Sequence, residues 1–217
     1  MKHYCMYQLC GELLWLLPEK AIYWPAEKTL LLSDLHLGKA GHFRKSGLYV
    51  PGAIMDRDLQ KLETILKEYE IERIVVLGDL FHSRHNHEWE IFGEWLADKP
   101  LVKVDLVIGN HDILGIEKYT LYTIRVHQQT LHLGPFTLRH HPLSGGESEV
   151  GYVLCGHIHP SFLIQGKGRQ NLKFPCFIFG DRQGILPAFG HFTGAALVKP
   201  EKEDVVFVVV DSIVLKI

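Results

Sequence analysis

Five times along this chain a short apolar run stops at a cluster of Asp, Asn or His. Asp34-Leu35-His36 follows Leu30-Leu31-Leu32, Asp79 follows Val75-Val76-Leu77-Gly78, and Asn110-His111-Asp112 follows Val107-Ile108-Gly109. His140-His141 follows residues 136–139, and His157-Ile158-His159 follows Val153-Leu154-Cys155-Gly156. Short apolar runs closed by turn residues read as buried strands. In α/β sheets, ligands bind beyond the carboxyl ends of strands, where loops from several strands converge. The pattern therefore favours an α/β fold that gathers five polar loops around one site.

The segments between these clusters extend the reading. Residues 9–17 and 29–32 are expected as strands. Residues 51–69 are expected as a helix, because Met55, Leu59, Leu62, Leu66 and Tyr69 fall on one helical face. Residues 73–77 read as a strand, 88–97 as a short helix and 101–108 as a strand. This βαβαβ order implies a largely parallel sheet covered by helices. The second half has few helix signals. Residues 122–126, 130–133, 136–140, 152–154, 174–179, 195–198, 205–210 and 213–215 all read as strands. A second, more antiparallel sheet packed on the first would use them. With no linker-like stretch or repeat, residues 1–217 are expected to form a single domain, a two-sheet α/β sandwich.

Composition narrows the function classes. Lys and Arg number 23 against 25 Asp and Glu, a formal net charge of -2, which excludes a globally basic nucleic-acid binder. Cys5, Cys10, Cys155 and Cys176 form no CxxC pair and read as reduced thiols. The apolar run 13–17 is too short to span a bilayer and lacks the flanks of a signal peptide. A cytoplasmic protein with no membrane partner is the expectation. The outlier is 14 histidines, the commonest metal-ligating side chain.

In a D-x-H or H-x-H triplet on an extended segment, residues i and i+2 point the same way, so both can reach one ion. Asp, Asn and His offer oxygen and nitrogen ligands of intermediate hardness, which suits Mn, Fe or Zn better than Ca. Asp34, His36, Asp79, Asn110, His140, His157 and His159 are too many for one tetrahedral ion. Two divalent ions sharing a bridging carboxylate would use them all.

The blocks DLHLG, GDLFH, GNHD and GHIH, within residues 34–159, resemble those of the calcineurin-like metallophosphoesterase superfamily. Across residues 30–196, DLHLGKAGHFRKSGLYVP, GDLFHSR and LPAFGHFTGA are similar to the ligase-associated DNA-damage-response endonucleases, a bacterial group within it. The resemblance implies a four-layer α/β/β/α metallophosphoesterase sandwich with two metals at the strand ends. Asp34, His36 and His159 would bind the first metal, Asn110, His140 and His157 the second, and Asp79 would bridge. His82 matches the nuclease branch; the phosphoprotein-phosphatase branch carries Asp there. Two positions depart from the endonuclease group, His141 where an acidic residue is common and Ala195 where Gly is common. His140, the first His after its strand, is taken as the ligand, with His141 beside it.

The implied function is metal-dependent phosphodiester hydrolysis, in the form of a DNA nuclease of DNA repair. Mn2+ is the first expectation for both ions, with Fe or Zn as alternatives. Single-stranded DNA is the expected substrate, and a DNA ligase and helicase are the expected repair partners. His111 would be the general acid or charge stabiliser, His82 would hold it, and Asp112 would fix a ligand histidine. Two other readings stand beside this one: a phosphatase or phosphodiesterase for nucleotides and other small esters, and an inactive metal-bound scaffold.

Substrate contacts are less specific. Lys39 and Arg44, with His42 and Lys45, form either a solvated basic run or a grip on a DNA backbone. Arg84 and His85, with His87, form either a solvated loop or a substrate loop. His191, after Gly190, either lines the cleft or sits in a turn. His3, His127 and His132 read as incidental.

Overall fold

The computed structural model describes residues 3–38, 54–81, 87–166, 171–191 and 193–217. Seven strands, β1 (Cys5–Leu9), β2 (Glu12–Leu17), β3 (Ala21–Trp24), β4 (Thr29–Leu32), β5 (Arg73–Leu77), β6 (Lys103–Val107) and β7 (Ile124–His127), lie side by side in chain order. β1 to β4 form an antiparallel meander. β4 to β7 are parallel. Parallel neighbours need crossovers. Helices α1 (Ile54–Glu68), α2 (His87–Ala97) and α3 (Ile116–Leu121) lie in the three connections.

The expected βαβαβ order is present, and α3–β7 adds a further unit. Residues 9–17 are not one strand. Cys10 (φ 52°) and Gly11 (φ 86°) turn the chain between β1 and β2. β3 was not anticipated, because a four-residue apolar run carries no period. Tyr122 lies in the turn after α3, where Thr123 (φ 59°) reverses the chain before β7. The helix expected over 51–69 is α1; its expected first turn, 51–53, lies outside the described residues.

The second sheet contains β8 (Thr130–Leu133), β9 (Phe136–Arg139), β10 (Tyr152–Cys155), β11 (Pro160–Gln165), β12 (Asn171–Phe179), β13 (Gln183–Ile185), β14 (Ala196–Leu197), β15 (Val205–Val210) and β16 (Ile213–Lys216). Its order is β14-β11-β12-β13-β10-β9-β8, with β15 on β12 and β16 on β15. β11 and β13 were not expected as strands. Most pairings are antiparallel, while β9, β10 and β13, and β11 with β14, run parallel.

Strand alternation divides the core. On β5, Ile74 and Val76 face α1 and α2, while Val75 and Leu77 face the second sheet. On β15, Phe207 and Val209 face the first sheet, while Val206 and Val208 face outward. Phe136, Phe177, Phe179 and Phe207 from the second sheet meet Leu14, Leu16, Trp24 and Leu31 from the first. Each such buried side chain contributes about 1.5–3 kcal/mol of transfer free energy. All three α-helices among the described residues belong to the layer outside the first sheet. On the outer face of the second sheet, Cys176, Ile178, Val206 and Val208 are buried and pack with Phe162, Ile164 and Phe174 of the same sheet. The two sheets thus stack as an α/β sandwich. The ends of β4, β5, β6, β9 and β10 deliver five loops to one edge.

Candidate metal centre

Asp34, His36, Asp79, His157 and His159 all have left-handed backbones, with φ of 55°, 49°, 54°, 70° and 52°. They are half of the ten non-glycine residues with positive φ among those described. Such conformations cost about 1–3 kcal/mol each and persist where packing enforces them. The triplets therefore do not converge by the extended alternation expected from sequence. They converge by left-handed turns, and the middle residue of Asp34-Leu35-His36 goes into the core.

Two groups form. Asp34, His36 and His159 bring a ligating atom each within 4.8 Å of one another. His159 Nε2 lies 3.1 Å from Asp34 Oδ1. In the second group, His140 Nε2 is 3.0 Å from Asn110 Oδ1 and 3.1 Å from His157 Nδ1. Asp79 stands between the groups. Its Oδ2 is 3.5 Å from His36 Nε2 and its Oδ1 is 3.6 Å from His140 Nε2.

The donor chemistry fits cations at both groups. His140 Nδ1 faces the carbonyl of Leu77 at 2.8 Å, and His159 Nδ1 faces the carbonyl of Gly194 at 3.1 Å. A ring nitrogen facing a carbonyl carries the proton, so in each neutral imidazole Nε2 presents a lone pair inward. Those lone pairs meet Asn110 Oδ1 and Asp34 Oδ1, which are also acceptors. Asp34 Oδ1 is buried with no hydrogen-bond donor on it. Acceptor facing acceptor is unfavourable without a positive charge between them.

The surrounding chain holds these atoms in place. Ser33 Oγ donates to Asp34 Oδ2 at 2.5 Å, and the N–H of His157 donates to the same oxygen at 3.0 Å. Burial opposes ionisation of Asp34, yet a protonated His159, the Ser33 hydroxyl and a protonated His140 hold its carboxyl below the ordinary range. Burial pushes His157 down, as protonation of His140 also does, and burial with both neighbouring imidazoles does the same to His141. Gly156 is required by contact. A Cβ there would stand 1.6 Å from Ser33 Oγ and 2.6 Å from Asp34 Oδ2. Gly78 combines φ +81° with the His140 ring, whose Nδ1 would be 2.2 Å from a Cβ.

His111 donates its backbone N–H to Asp79 Oδ1 at 2.9 Å, and its ring lies 5.1 Å from that of His36. His141 is exposed and packs edge-on against His140 and His157, at 4.7 and 4.4 Å between ring centres. Asp112 does not fix a histidine as expected; its buried carboxylate accepts backbone N–H groups from Asp79, Leu80, Phe81 and Gly109. Lys39, Arg44, His82, Arg84 and His85 lie outside the described residues.

His191 belongs to a loop held to the first group through its main chain. Phe189 N–H donates to Ser33 O and Gly190 N–H to Asp34 O, at 2.8 and 3.1 Å. Further along, Gly194 O meets His159 Nδ1. The loop thus clasps the first group from both sides. Lys61 Nζ donates to Phe189 O at 2.5 Å, Lys20 Nζ to Gly190 O at 3.1 Å, and buried Asp58 accepts the His191 N–H at 3.1 Å. Asp58 and Lys61 were missed, although Asp58 sits on the apolar face of α1 beside Leu62, where a carboxylate needs a reason.

The fold and these facing acceptors are those of a metal-binding phosphoesterase, and the family model for calcineurin-like phosphoesterases matches residues 27–209. The chain belongs to that family and is a metal-dependent hydrolase of phosphoesters. It is similar to the Pseudomonas putida nuclease MPE, at 32% identity over 99% of this chain and 100% of that one, with a TM-score of 0.84. A protein of unknown function from Aquifex aeolicus matches 60% of this chain and 78% of its own at 20% identity and a TM-score of 0.44. A search of curated protein sequences returns no match. Among the described residues no helix is long and apolar enough to cross a membrane.

Proposed function

We propose that the protein is a dinuclear phosphodiesterase acting on DNA. The observation that carries this reading is Asp79, whose two oxygens face His36 on one side and His140 on the other. Asp34, His36 and His159 would hold one divalent ion, and Asn110, His140 and His157 the other, with Asp79 shared. Mn2+ suits this mixed oxygen and nitrogen set, with Fe and Zn as alternatives. When bound, such a pair activates water for in-line attack and neutralises phosphate charge.

The chain's own residues do the rest. Asp34 and Asp79, both buried, set two negative charges where cations and then phosphate gather. His140 and His159 are held by backbone carbonyls, so their rings need no reorganisation during turnover. His111, beside His36, would give a proton to the leaving oxygen. His82 would steady His111. Similarity to a nuclease supports a nucleic-acid substrate. Single-stranded DNA is the substrate of this reading, and because the net charge of -2 gives no global pull on DNA, its phosphate must be gripped locally at the metal site. The endonuclease-like blocks support a place in DNA repair beside a ligase and a helicase, and four cysteines without a CxxC pair support a reducing, cytoplasmic setting. The core shared by both sheets supports reading residues 1–217 as one catalytic domain.

The test compares bis-p-nitrophenyl phosphate with p-nitrophenyl phosphate under Mn2+, then single-stranded DNA over a salt series. Diester turnover that chelation abolishes, together with DNA cleavage, is the expected result. Preference for the monoester with no DNA cleavage overturns the reading.

A further inference from the structure

Three imidazoles, not two, meet at the second ligand group. His140, His141 and His157 each bring a ring nitrogen within 4.8 Å of the others. Nitrogens bound to one ion at about 2.0–2.1 Å stand at most about 4.2 Å apart. A small swing of one ring closes the difference. His141 is the ring that can make it, being exposed and held by no hydrogen bond among the described residues. His140 is buried with Nδ1 on the Leu77 carbonyl at 2.8 Å, and His157 Nδ1 faces His140 Nε2 at 3.1 Å.

The backbone explains how neighbours in sequence come together. Adjacent side chains on an extended strand point to opposite faces. Just past β9 the chain bends at His140 and His141, so their rings pack edge-on at 4.7 Å between centres. The His141 ring also reaches that of His157, at 4.4 Å, and it lines the same cleft as Asn110 and His140. The ligand sets proposed for the two ions differ in kind. The first ion would have two carboxylates, Asp34 and Asp79, with His36 and His159. The second would share Asp79 and otherwise have the neutral donors Asn110, His140 and His157. A third imidazole there adds nitrogen without adding charge. Carboxylates suit Mn2+, whereas imidazoles suit Zn2+ and the later first-row ions, which bind nitrogen sites more tightly than Mn2+ does.

We infer that His141 is a third imidazole ligand of the second ion, and that it tilts that site toward Zn2+ relative to the first, which keeps the stronger preference for Mn2+. The inference rests on the dinuclear reading above. It makes the two sites unequal in the metals they select.

The experiment follows the histidine rings directly. Long-range proton–nitrogen NMR spectra of histidine-labelled, chelator-stripped protein are recorded as Zn2+ is added. A ring nitrogen that takes a metal leaves the shift range of a bare one. With two Zn2+ bound, His36, His140, His141, His157 and His159 are expected to move, and His141→Ala, a change at an exposed position, identifies the fifth ring. Competition calorimetry then gives affinities. His141→Ala is expected to lose at least about tenfold in Zn2+ affinity at one site, because groups that merely orient ligands are already worth roughly 10–100-fold. Its loss for Mn2+ is expected to be smaller. His141→Glu, which trades nitrogen for carboxylate oxygen, is expected to lower the ratio of Zn2+ to Mn2+ affinity. Two bound Zn2+ that shift the other four rings and leave His141 unmoved overturn the inference alone. A His141 ring that moves only with a third Zn2+, or equal losses for both metals in His141→Ala, overturns it as well. A protein that binds fewer than two ions overturns the dinuclear reading and this inference with it.

Discussion

Asp112 Oδ2 accepts the backbone N–H of Asp79 at 2.8 Å. The same oxygen takes the N–H of Gly109 at 2.9 Å, and Oδ1 takes those of Leu80 and Phe81 at 3.0 and 3.3 Å. One buried carboxylate therefore ties the loop that carries Asp79 to the loop that carries Asn110 and His111. Asp112→Asn keeps the shape but turns an NH2 toward two N–H donors. The expected cost is about 2–4 kcal/mol of stability, from buried donors left unpaired. Mn2+ affinity is expected to fall about 10–100-fold, the usual effect of losing a group that orients metal ligands. Urea unfolding and calorimetric Mn2+ titration check both numbers. A variant that binds Mn2+ like the native chain would remove Asp112 from this role.

Gly156 and Ser33 meet where a methyl group has no room, with a Cβ 1.6 Å from Ser33 Oγ. Gly156→Ala must therefore push Ser33 off Asp34, whose Oδ2 takes both the Ser33 hydroxyl and the His157 N–H. A loss of at least about tenfold in Mn2+ affinity is expected, by the same loss of ligand orientation. Pairing it with Ser33→Gly removes the Ser33 part of the clash, leaving the 2.6 Å approach to Asp34 Oδ2, and should recover part of that loss. The two changes are then strongly non-additive, as contacting residues are. Additive losses in a double-mutant cycle would show that the contact is not the cause.

Much of this centre was legible in the sequence because strand ends and ligand chemistry coincide. Asp34, Asp79, Asn110, His140 and His157 each follow a short apolar run, and loops at the ends of parallel strands converge whatever their sequence. What was not legible was the backbone route. Asp34-Leu35-His36 looks the same on paper whether extended or left-handed, and only the crowding of Leu35 into the core decides between them. Asp58, Lys20 and Lys61 were hidden for a different reason. Their partners are the main-chain groups of Phe189, Gly190 and His191, more than a hundred residues away. Backbone partners leave no side-chain signature. The short strands β3, β11 and β13 escaped because a few apolar residues carry no period, and neighbours in the sheet fix their conformation.

His111 should separate leaving groups. If it donates a proton to the leaving oxygen, His111→Asn removes help that an alkoxide needs and a nitrophenolate does not. DNA cleavage is expected to fall about 10²–10⁴-fold, while hydrolysis of bis-p-nitrophenyl phosphate falls much less. Metal content, read by elemental analysis, should stay unchanged, because His111 is not among the seven assigned ligands. Equal loss on both substrates would instead make His111 a charge stabiliser of the reacting phosphate.

Lys61 should give the chelated protein an unusual pH response. Its ammonium is buried against the Phe189 ring at 3.5 Å and the Asp58 carboxylate at 3.8 Å. Burial, with the charge of Lys20 nearby, pushes Lys61 down to about 7, and burial pushes Lys20 down to about 8. The unfolded chain keeps ordinary lysines near 10.4. Between pH 7 and about 10 the unfolded state therefore binds more protons than the folded one, and stability must rise with pH across that window. The limiting slope for one such group is about 1.4 kcal/mol per pH unit. Below pH 7 both states hold the Lys61 proton, and its contribution is flat. Lys61→Met removes the titration while filling the same space, so the difference in unfolding free energy between native chain and variant should widen in favour of the native chain as pH rises. Urea midpoints at pH 6.5, 8.0 and 9.5, taken in chelator on both proteins, measure that difference and cancel groups common to the two. A difference that stays constant with pH would mean that Lys61 titrates as an ordinary surface lysine.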